Sequence, residues 1–441
     1  MASPDLQLST PGTRPWKRNV ALFLTGQTIS LFGSLVVQFA VMWYVTFETR
    51  SGLAVALYAI AAFAPQGVIA IFGGVLADRI NRRVLVMISD ATIALTTLAL
   101  ALLMLSGVTE LWIILLAVAV RSVGAGVQTP AVSAMIPQVT PPEHLMRVNG
   151  IFHTMQSSMT LLAPVAAGVV FGVFGIVPVF FIDVVSAAIG ILLLSLVAVP
   201  TLQAIAEKTT TYRADLIEGA RYVATHRVVR WLLTVFAIIF LLTIAPSYVT
   251  PLMVARSFGS EVWMVTVLEA AFSIGMMLGG VVVSTLLARS SRIALILFST
   301  FGFGLTTIAL GFSTDLIGFY ALIFLFGLLV PPLTAPFMTL MQESVRPEMH
   351  GRVFSYVSIV MALATPIGMA VFGPLADVWR VETLLVVAGA ACIVVMLVAI
   401  SVPSGRAAIA AARTADAERA AAKRAAAAPR TAPAEGSSDA R

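Results

Sequence analysis

The chain of 441 residues is 59% hydrophobic and only 11% charged, whereas an ordinary globular domain carries about 25% charged residues. This composition excludes a soluble enzyme, because too few charged residues remain to cover a water-exposed surface. It also excludes a disordered main body, because disordered chains are poor in apolar residues. Orientation in a membrane explains the net charge of +6 better than nucleic-acid binding does, and we expect no nucleic-acid partner.

Twelve apolar runs follow one another along the chain, and each is long enough to cross a bilayer as a helix of about 20 residues. The runs are continuous, unlike the alternating strands of an outer-membrane barrel. We place them at residues 20–46, 53–76, 84–107, 111–136, 148–173, 177–199, 231–255, 263–288, 293–313, 316–341, 353–376 and 383–402. The sequence therefore predicts an all-α membrane protein with twelve transmembrane helices.

Nearly all of the 27 lysine and arginine residues lie on one side of the predicted spans, the side of the N-terminus. The connections on the opposite side contain Arg50, Arg256 and Arg380. Because Lys and Arg accumulate on the cytoplasmic side of membrane proteins, we expect both termini in the cytoplasm.

The longest connection between spans divides the chain into two lobes. Leu216, Ala220, Val223 and Val228 of this connection can share one face of an amphipathic helix at the membrane surface. We expect a cytoplasmic N-terminus at 1–19, an N-terminal six-helix lobe at 20–199, a cytoplasmic linker with this helix at 200–230, a C-terminal six-helix lobe at 231–402, and a partly disordered, Ala/Arg-rich cytoplasmic tail at 403–441.

The two lobes repeat each other at an offset of about 205 residues. TPAVSAMIPQVTPPEHLMRV (129–148) matches APFMTLMQESVRPEMHGRV (335–353), and Pro130 matches Pro336. Six spans per lobe preserve orientation, so the lobes are parallel pseudo-repeats with a binding site expected at their interface. The alternative is a helix bundle that was duplicated without any consequence for transport.

The segment GGVLADRINRR, residues 73–83, resembles the signature loop of the major facilitator superfamily. The matching residues are Gly74, Asp78, Arg79, Arg82 and Arg83, with Asn81 in place of the usual glycine. Because Asn tolerates left-handed backbone nearly as well as Gly, the tight turn is expected to persist.

The resemblance extends over nearly the whole chain, from FLTGQTISLFGSLVVQFAVMWYVTFETRSGLAVAL to ATPIGMAVFGPLAD. The chain looks like the drug:proton antiporter branch that includes macrolide-efflux and enterobactin-export proteins. It implies a twelve-helix exporter of the major facilitator fold in a bacterial inner (plasma) membrane.

The signature loop predicts a conformational latch that is strong enough to favour one state and weak enough to be broken in each cycle. Gly74 permits close helix approach, and Asp78 at a helix end can hold a neighbouring helix N-terminus or an arginine. We assign Asp90, near the start of the third span, to the same charge network. The alternative is that the arginines only enforce orientation.

Three ionisable residues lie well inside predicted spans, namely Arg121, Asp183 and Glu269. Such groups are costly in a bilayer and are functional candidates by default. We expect Asp183 or Glu269 to carry a proton, and Arg121 to bias its release or hold the network between helices. The alternative is a purely structural role. By family analogy, Gln38 is expected to line the substrate cavity.

Other features limit the chemistry. The chain has no phosphate-binding loop, His-Glu-x-x-His helix or paired-cysteine metal site, so we expect no enzyme activity, cofactor or metal. Its single cysteine, Cys392, excludes an intramolecular disulfide. Trp43, Tyr44 and Trp112 are expected in the aromatic belts at the membrane interfaces.

Together these features predict a proton-coupled exporter of amphipathic or hydrophobic small molecules that works by alternating access. Its expected partners are a small-molecule substrate, protons and the lipid bilayer, and we expect a monomer. The alternatives are a siderophore or native-metabolite carrier, coupled or uncoupled, and a non-transporting membrane scaffold or sensor.

Overall fold

The computed structural model describes residues 16–198, 212–288, 290–403, 405–407, 409, 410 and 414, with backbone alone for 71–79 and 212–216. The first half of the chain forms six long helices. They are α1 (Trp16–Thr49), α2 (Gly52–Arg79), α3 (Arg82–Leu105), α4 (Leu111–Val139), α5 (Leu145–Phe174) and α6 (Ile176–Ser195). We call the end of the bundle that carries Trp16 the terminus side, and the end at Thr49 the far side.

The second half begins with a short helix and continues with six further apolar spans. The helices are α7 (Tyr212–Thr225), α8 (Arg227–Leu242), α9 (Ile244–Tyr248), α10 (Thr250–Met253), α11 (Val262–Thr285), α12 (Arg292–Phe312), α13 (Leu316–Ser344), α14 (His350–Val378) and α15 (Val381–Ser401). In the described part of the chain, 12 helical stretches are long and apolar enough to cross a membrane. The predicted set of spans is therefore confirmed.

The seventh span, Arg227–Phe258, is broken rather than straight. It consists of α8, α9, α10 and a π-helical turn at Val254–Phe258. Pro246 in α9 and Pro251 in α10 lack the backbone N–H that a continuous helix needs. The continuous apolar run in the sequence concealed this break, because hydropathy reports burial and not helix continuity.

The internal repeat is visible in the backbone. A single 3₁₀ turn, Pro142–His144, links α4 to α5, and an equivalent turn, Pro347–Met349, links α13 to α14. A proline near the start of each turn removes an N–H that would otherwise lack a partner. The equivalent helices of the two halves begin about 205 residues apart here, as the sequence echo predicts.

Asn81 preserves the turn between α2 and α3 in a different way from the one expected. Its backbone is not left-handed, with φ −55° and ψ 114°. Instead its side chain caps α3 by accepting a hydrogen bond from Arg83 N at 3.0 Å, which satisfies one of the free N–H groups of the first turn. The expectation of a left-handed asparagine is therefore wrong.

Helix α7 lies in the connection between the two lobes and ends before Val228 of the expected apolar face. α7 stops at Thr225, and Val228 belongs to α8. Val223 packs against the buried cluster of the second half, beside the buried side chain of Tyr222. α7 therefore docks on the second half of the protein.

The two halves touch through two pairs of helices that approach unusually closely. α2 packs on α14, where a Cβ added at Gly52 would lie 2.3 Å from the Gly373 carbonyl oxygen. α5 packs on α11, where a Cβ at Gly168 would lie 1.8 Å from Thr266 Oγ1. Glycine is needed at such positions because any side chain would separate the backbones.

The aromatic residues expected at the membrane interface divide into two environments. Trp112 is 65% exposed, which fits a position in the aromatic belt. Trp43, in contrast, is fully buried in the core that both halves share near the far side. The expectation for Trp43 is wrong, because α1 is surrounded by other helices at this depth.

Candidate functional site

A central cavity lies between the two halves, with a volume of about 200 Å³. Its wall comes from α1, α2 and α5 of the first half and from α9, α10, α11 and α13 of the second. The described lining residues are mostly apolar or aromatic. They are Gln38, Phe39, Met42, Tyr58, Phe63, Thr160, Pro246, Ser247, Tyr248, Thr250, Leu268, Glu269, Phe272, Ser273, Ile323 and Phe326.

Glu269 is the only carboxylate among these described lining residues, and they include no Lys, Arg or His. It lies in the first third of α11, and its side chain is partly exposed. Among the residues that the structure describes, it makes no hydrogen bond or ion pair. The structure thus places one acidic group on an otherwise neutral surface.

A second cavity of about 190 Å³ lies within the first half and shares Gln38 and Tyr58 with the central one. Its wall is more polar and includes Gln66, Arg121 and Gln128. The Tyr58 hydroxyl donates a hydrogen bond to the Gln38 carbonyl oxygen at 2.6 Å. This bond joins α1 to α2 at the boundary between the cavities, where Gln38 lines both cavities.

Arg121 and Asp183, predicted separately from the sequence, form a buried ion pair. The Asp183 carboxylate is fully buried and also accepts hydrogen bonds from Thr97 Oγ1 at 2.7 Å and Ser34 Oγ at 2.9 Å. These side chains come from α1, α3, α4 and α6, so four helices of the first half meet at one charge pair. Glu269 is not part of this group.

Asp90 occupies a different buried cluster in the first half. Its Oδ1 atom accepts hydrogen bonds from Ser30 Oγ at 2.7 Å and Gln128 Nε2 at 2.5 Å. Its Oδ2 atom is buried without a hydrogen-bond partner among the described residues. These partners lie on α1 and α4, so they tie Asp90 to the helix bundle.

The basic pair of the signature loop clamps helix ends on the terminus side. Arg82 donates to the Ala134 carbonyl oxygen at 2.8 Å, and Arg83 donates to the Ser195 carbonyl oxygen at the end of α6. A cation at a helix C-terminus is electrostatically favourable. Gly74, Asp78 and Arg79 lie in the last turns of α2, and their side chains are outside the described residues.

The far side carries a polar junction between the halves that the sequence did not reveal. Asp377, near the end of α14, accepts hydrogen bonds from the backbone N–H groups of Gly52 at 2.6 Å and Leu53 at 2.8 Å, and from Ser51 Oγ at 2.8 Å. Arg256 pairs with Asp377 at 2.7 Å. The carboxylate therefore caps the N-terminus of α2 from the other half of the protein.

Arg256 and Arg50 extend this junction. Arg256 donates two hydrogen bonds to the Arg50 carbonyl oxygen, at 3.0 and 2.6 Å, and Arg50 donates to Ser260 Oγ at 2.7 Å. Arg50 is the only described non-glycine residue with positive φ, at 48°. The sequence signal for this junction is the presence of Arg50 and Arg256 in far-side connections, which otherwise indicates only membrane orientation.

The sequence model described as Major Facilitator Superfamily matches residues 20–369 and 263–431. Among curated proteins, Macrolide efflux protein A of Streptococcus pyogenes is 27% identical over 366 residues, which cover 82% of this chain and 90% of that protein.

Solved structures resemble the whole fold at low sequence identity. A bacterial homologue of the human lysosomal transporter Spinster, in an inward-facing and unoccupied conformation, has a TM-score of 0.64 and 16% identity, covering 91% of this chain and 98% of the other. A bacterial homologue of the iron transporter ferroportin, in an inward-facing state, has a TM-score of 0.66 and 17% identity, covering 86% and 98%. These likenesses establish the architecture and leave the substrate open.

Proposed function

The chain belongs to the Major Facilitator Superfamily and is a multi-pass membrane transporter, not an enzyme, and from this premise we propose that it exports amphipathic or hydrophobic small molecules in exchange for protons. We further propose that it acts in a bacterial inner membrane with both termini in the cytoplasm. The macrolide-efflux relative supports a drug-like substrate.

The central cavity is the observation that carries this proposal. Both halves contribute to its wall, and the wall combines apolar surface with a few polar groups, which is typical of small-molecule sites. A cavity between two parallel repeats suits rigid-body rocking that exposes the site to each side of the membrane in turn.

Rocking requires contacts that hold one state and yet can break. The far-side junction at Asp377 supports such a role, because its bonds are partly exposed and join the two halves directly. Exposed ion pairs contribute only about 0–1 kcal/mol each, so substrate or proton binding can offset them. We propose that this junction closes the far side in the present state.

We propose that the opposite side is governed by the latch of Gly74, Asp78, Arg79, Arg82, Arg83 and Asp90, which favours the outward-open state. The described bonds of Arg82 and Arg83 join the start of α3 to α4 and α6 within the first half. They support movement of that half as one rigid unit, and a contact of the latch with the second half stays a prediction. Membership of Asp90 in the latch stays a prediction, since its described partners are Ser30 and Gln128.

Proton coupling is proposed for Asp183 or Glu269. The Arg121–Asp183 ion pair supports a switch in which Asp183 binds either Arg121 or a proton. Glu269 is the candidate that the cavity itself contains. In either case the two lobes act as the units that move.

The test uses inverted membrane vesicles that contain the full chain and a pH-sensitive dye. We expect a fluorescent amphiphile to accumulate when the vesicle interior is acidic, and accumulation to collapse when a protonophore dissipates the gradient. Protons released per substrate should fall to near zero in Asp183→Asn or Glu269→Gln, and this ratio does not depend on the amount of folded protein. Coupling that survives both changes would exclude both acids, and accumulation without a gradient would refute antiport.

A further inference from the structure

We propose that Asp90 is a proton-binding site of the first half, separate from the Arg121–Asp183 pair and from Glu269. The site is formed by α1, α3 and α4, and Asp90 is not among the described lining residues of the central cavity. The contacts of this carboxyl group support proton binding by themselves, and only the role of that proton in transport rests on the proposed function.

The first argument is that this carboxyl group is buried without a cation. Asp90 is 1% exposed and makes no ion pair among the described residues. The charged group that acts on it from α6 is another carboxylate, Asp183, which already pairs with Arg121 of α4. The side chains beside it on α1, Gln27 and Ser30, are neutral. An unpaired negative charge is costly at membrane depth, and a bound proton removes that charge.

The second argument is that the two carboxyl oxygens of Asp90 differ. Oδ1 accepts hydrogen bonds from Ser30 and Gln128, whereas Oδ2 is buried without a partner among the described residues. Gln27, which lies beside Asp90, has a buried Nε2 atom that also lacks a partner there. A protonated carboxyl has one oxygen that accepts and one that donates through its O–H. A half turn of the Gln27 amide would present its oxygen to a proton on Oδ2 and give that atom a partner.

The third argument is the connection between this site and the Arg121–Asp183 pair. Gln128, which donates to Asp90, and Arg121 both line the smaller cavity. Thr97, which donates to Asp183, lies on α3 as Asp90 does, and the two positions are about 10 Å apart along the helix. Polar side chains therefore link the two carboxyl groups inside the first half, and Asp90 is the one nearer the terminus side.

The experiment records infrared spectra of the purified full chain in lipid nanodiscs at neutral pH. Exposed carboxyl groups are ionised at that pH, so the carbonyl stretch of a protonated carboxyl reports buried acids. We expect this band in the wild type, with one component that is lost completely in Asp90→Asn and is also lost in alkaline buffer. Any component that comes from Glu269 should disappear in Glu269→Gln and remain in Asp90→Asn.

Two further variants separate proton binding from structural damage. Asp90→Glu keeps a carboxyl group and should retain the component at a shifted frequency. Glu110→Gln alters an exposed carboxylate that makes no cap hydrogen bond, and it should give the wild-type spectrum. A wild type without the component, or a component that survives Asp90→Asn, would overturn the inference. If Asp90→Asn does not fold, an unshifted component in Asp90→Glu would overturn it instead.

Proton counting in the vesicle assay distinguishes this inference from the proposed function. Protons released per substrate should fall in Asp90→Asn and recover in Asp90→Glu, and an unchanged ratio in Asp90→Asn would refute a role of this proton in transport. An Asp90 component in a protein that moves no substrate would refute the exporter and leave the proton site standing. Proton-coupled export without such a component would support the exporter and refute the site.

Discussion

At the scale of single residues, the Arg121–Asp183 pair combines a fully buried carboxylate with hydrogen bonds to neighbouring helices. Asp183 is completely buried, and Arg121 also donates to the Ser34 carbonyl oxygen at 3.3 Å. A buried ion pair is weak support for stability as a whole, but removing one partner strands the other charge. The pair therefore makes the fold of the first half depend on both charges at once.

We predict that Asp183→Asn lowers the free energy of unfolding by about 3–5 kcal/mol, because Arg121 would remain charged without its carboxylate. Thermal unfolding of the detergent-solubilised protein measures this as a lower midpoint. The double variant Arg121→Gln/Asp183→Asn should regain part of the loss, while Glu110→Gln should melt with the wild type. Equal midpoints for Asp183→Asn and the wild type would contradict the prediction.

At the scale of helices, the close approach of α2 and α14 sets how far the far side can close. A Cβ at Gly373 would lie 2.3 Å from Ala56 Cβ and 2.6 Å from the Gly52 carbonyl oxygen. The junction at Asp377 lies one helical turn further along α14, so its bonds form only when these two backbones are in contact. The close packing of α2 on α14 and the hydrogen bonds of Asp377 are thus coupled.

We predict that Gly373→Val shifts the protein toward a state that is open on the far side, because a branched side chain holds α2 and α14 apart. Spin labels at the exposed positions Glu110 and Thr314, in a Cys392→Ala background, should move several ångströms apart. Gly280→Val is the matched control, since a Cβ at Gly280 meets no atom within 4 Å. Identical distance distributions for the two variants would argue against this coupling.

The sequence predicted the helices well and the contacts between them only in part. Continuous apolar runs located the spans, and the echo around Pro130 and Pro336 located the repeat. Arg121 and Asp183 were identified singly, because hydropathy shows that a charge is buried but not which charge faces it. The cap that Asp377 provides for α2 depends on helices that are distant in sequence, so no local pattern could have indicated it.

At the scale of the whole molecule, the two cavities share the wall residues Gln38 and Tyr58, and rotation of the halves would change the wall of the central cavity. Gln38 lines both cavities and lies on α1, so it should face whichever compartment the molecule opens to. The proposed alternating access therefore has a direct test at this residue.

We predict that Gln38→Cys, in a Cys392→Ala background, reacts with a membrane-impermeant thiol reagent from either side of oriented vesicles, with a preference that substrate or a pH gradient alters. The exposed positions Glu110 and Met146 lie on the far and terminus sides, and Glu110→Cys and Met146→Cys should each react from one side only. Labelling of Gln38→Cys from a single side under every condition would refute alternating access.

The docking of α7 makes the connection between the halves asymmetric. Glu218 pairs with Arg352 at 2.8 Å, and the Arg346 guanidinium lies 5.6 Å from the Tyr222 ring centroid. Arg352 and Arg346 both belong to the second half, so α7 moves together with that half. A chain cut before Tyr212 would consequently yield two fragments with six membrane-spanning helices each. On co-expression, their assembly would depend on the glycine contacts of α2 with α14 and of α5 with α11, and not on the covalent connection.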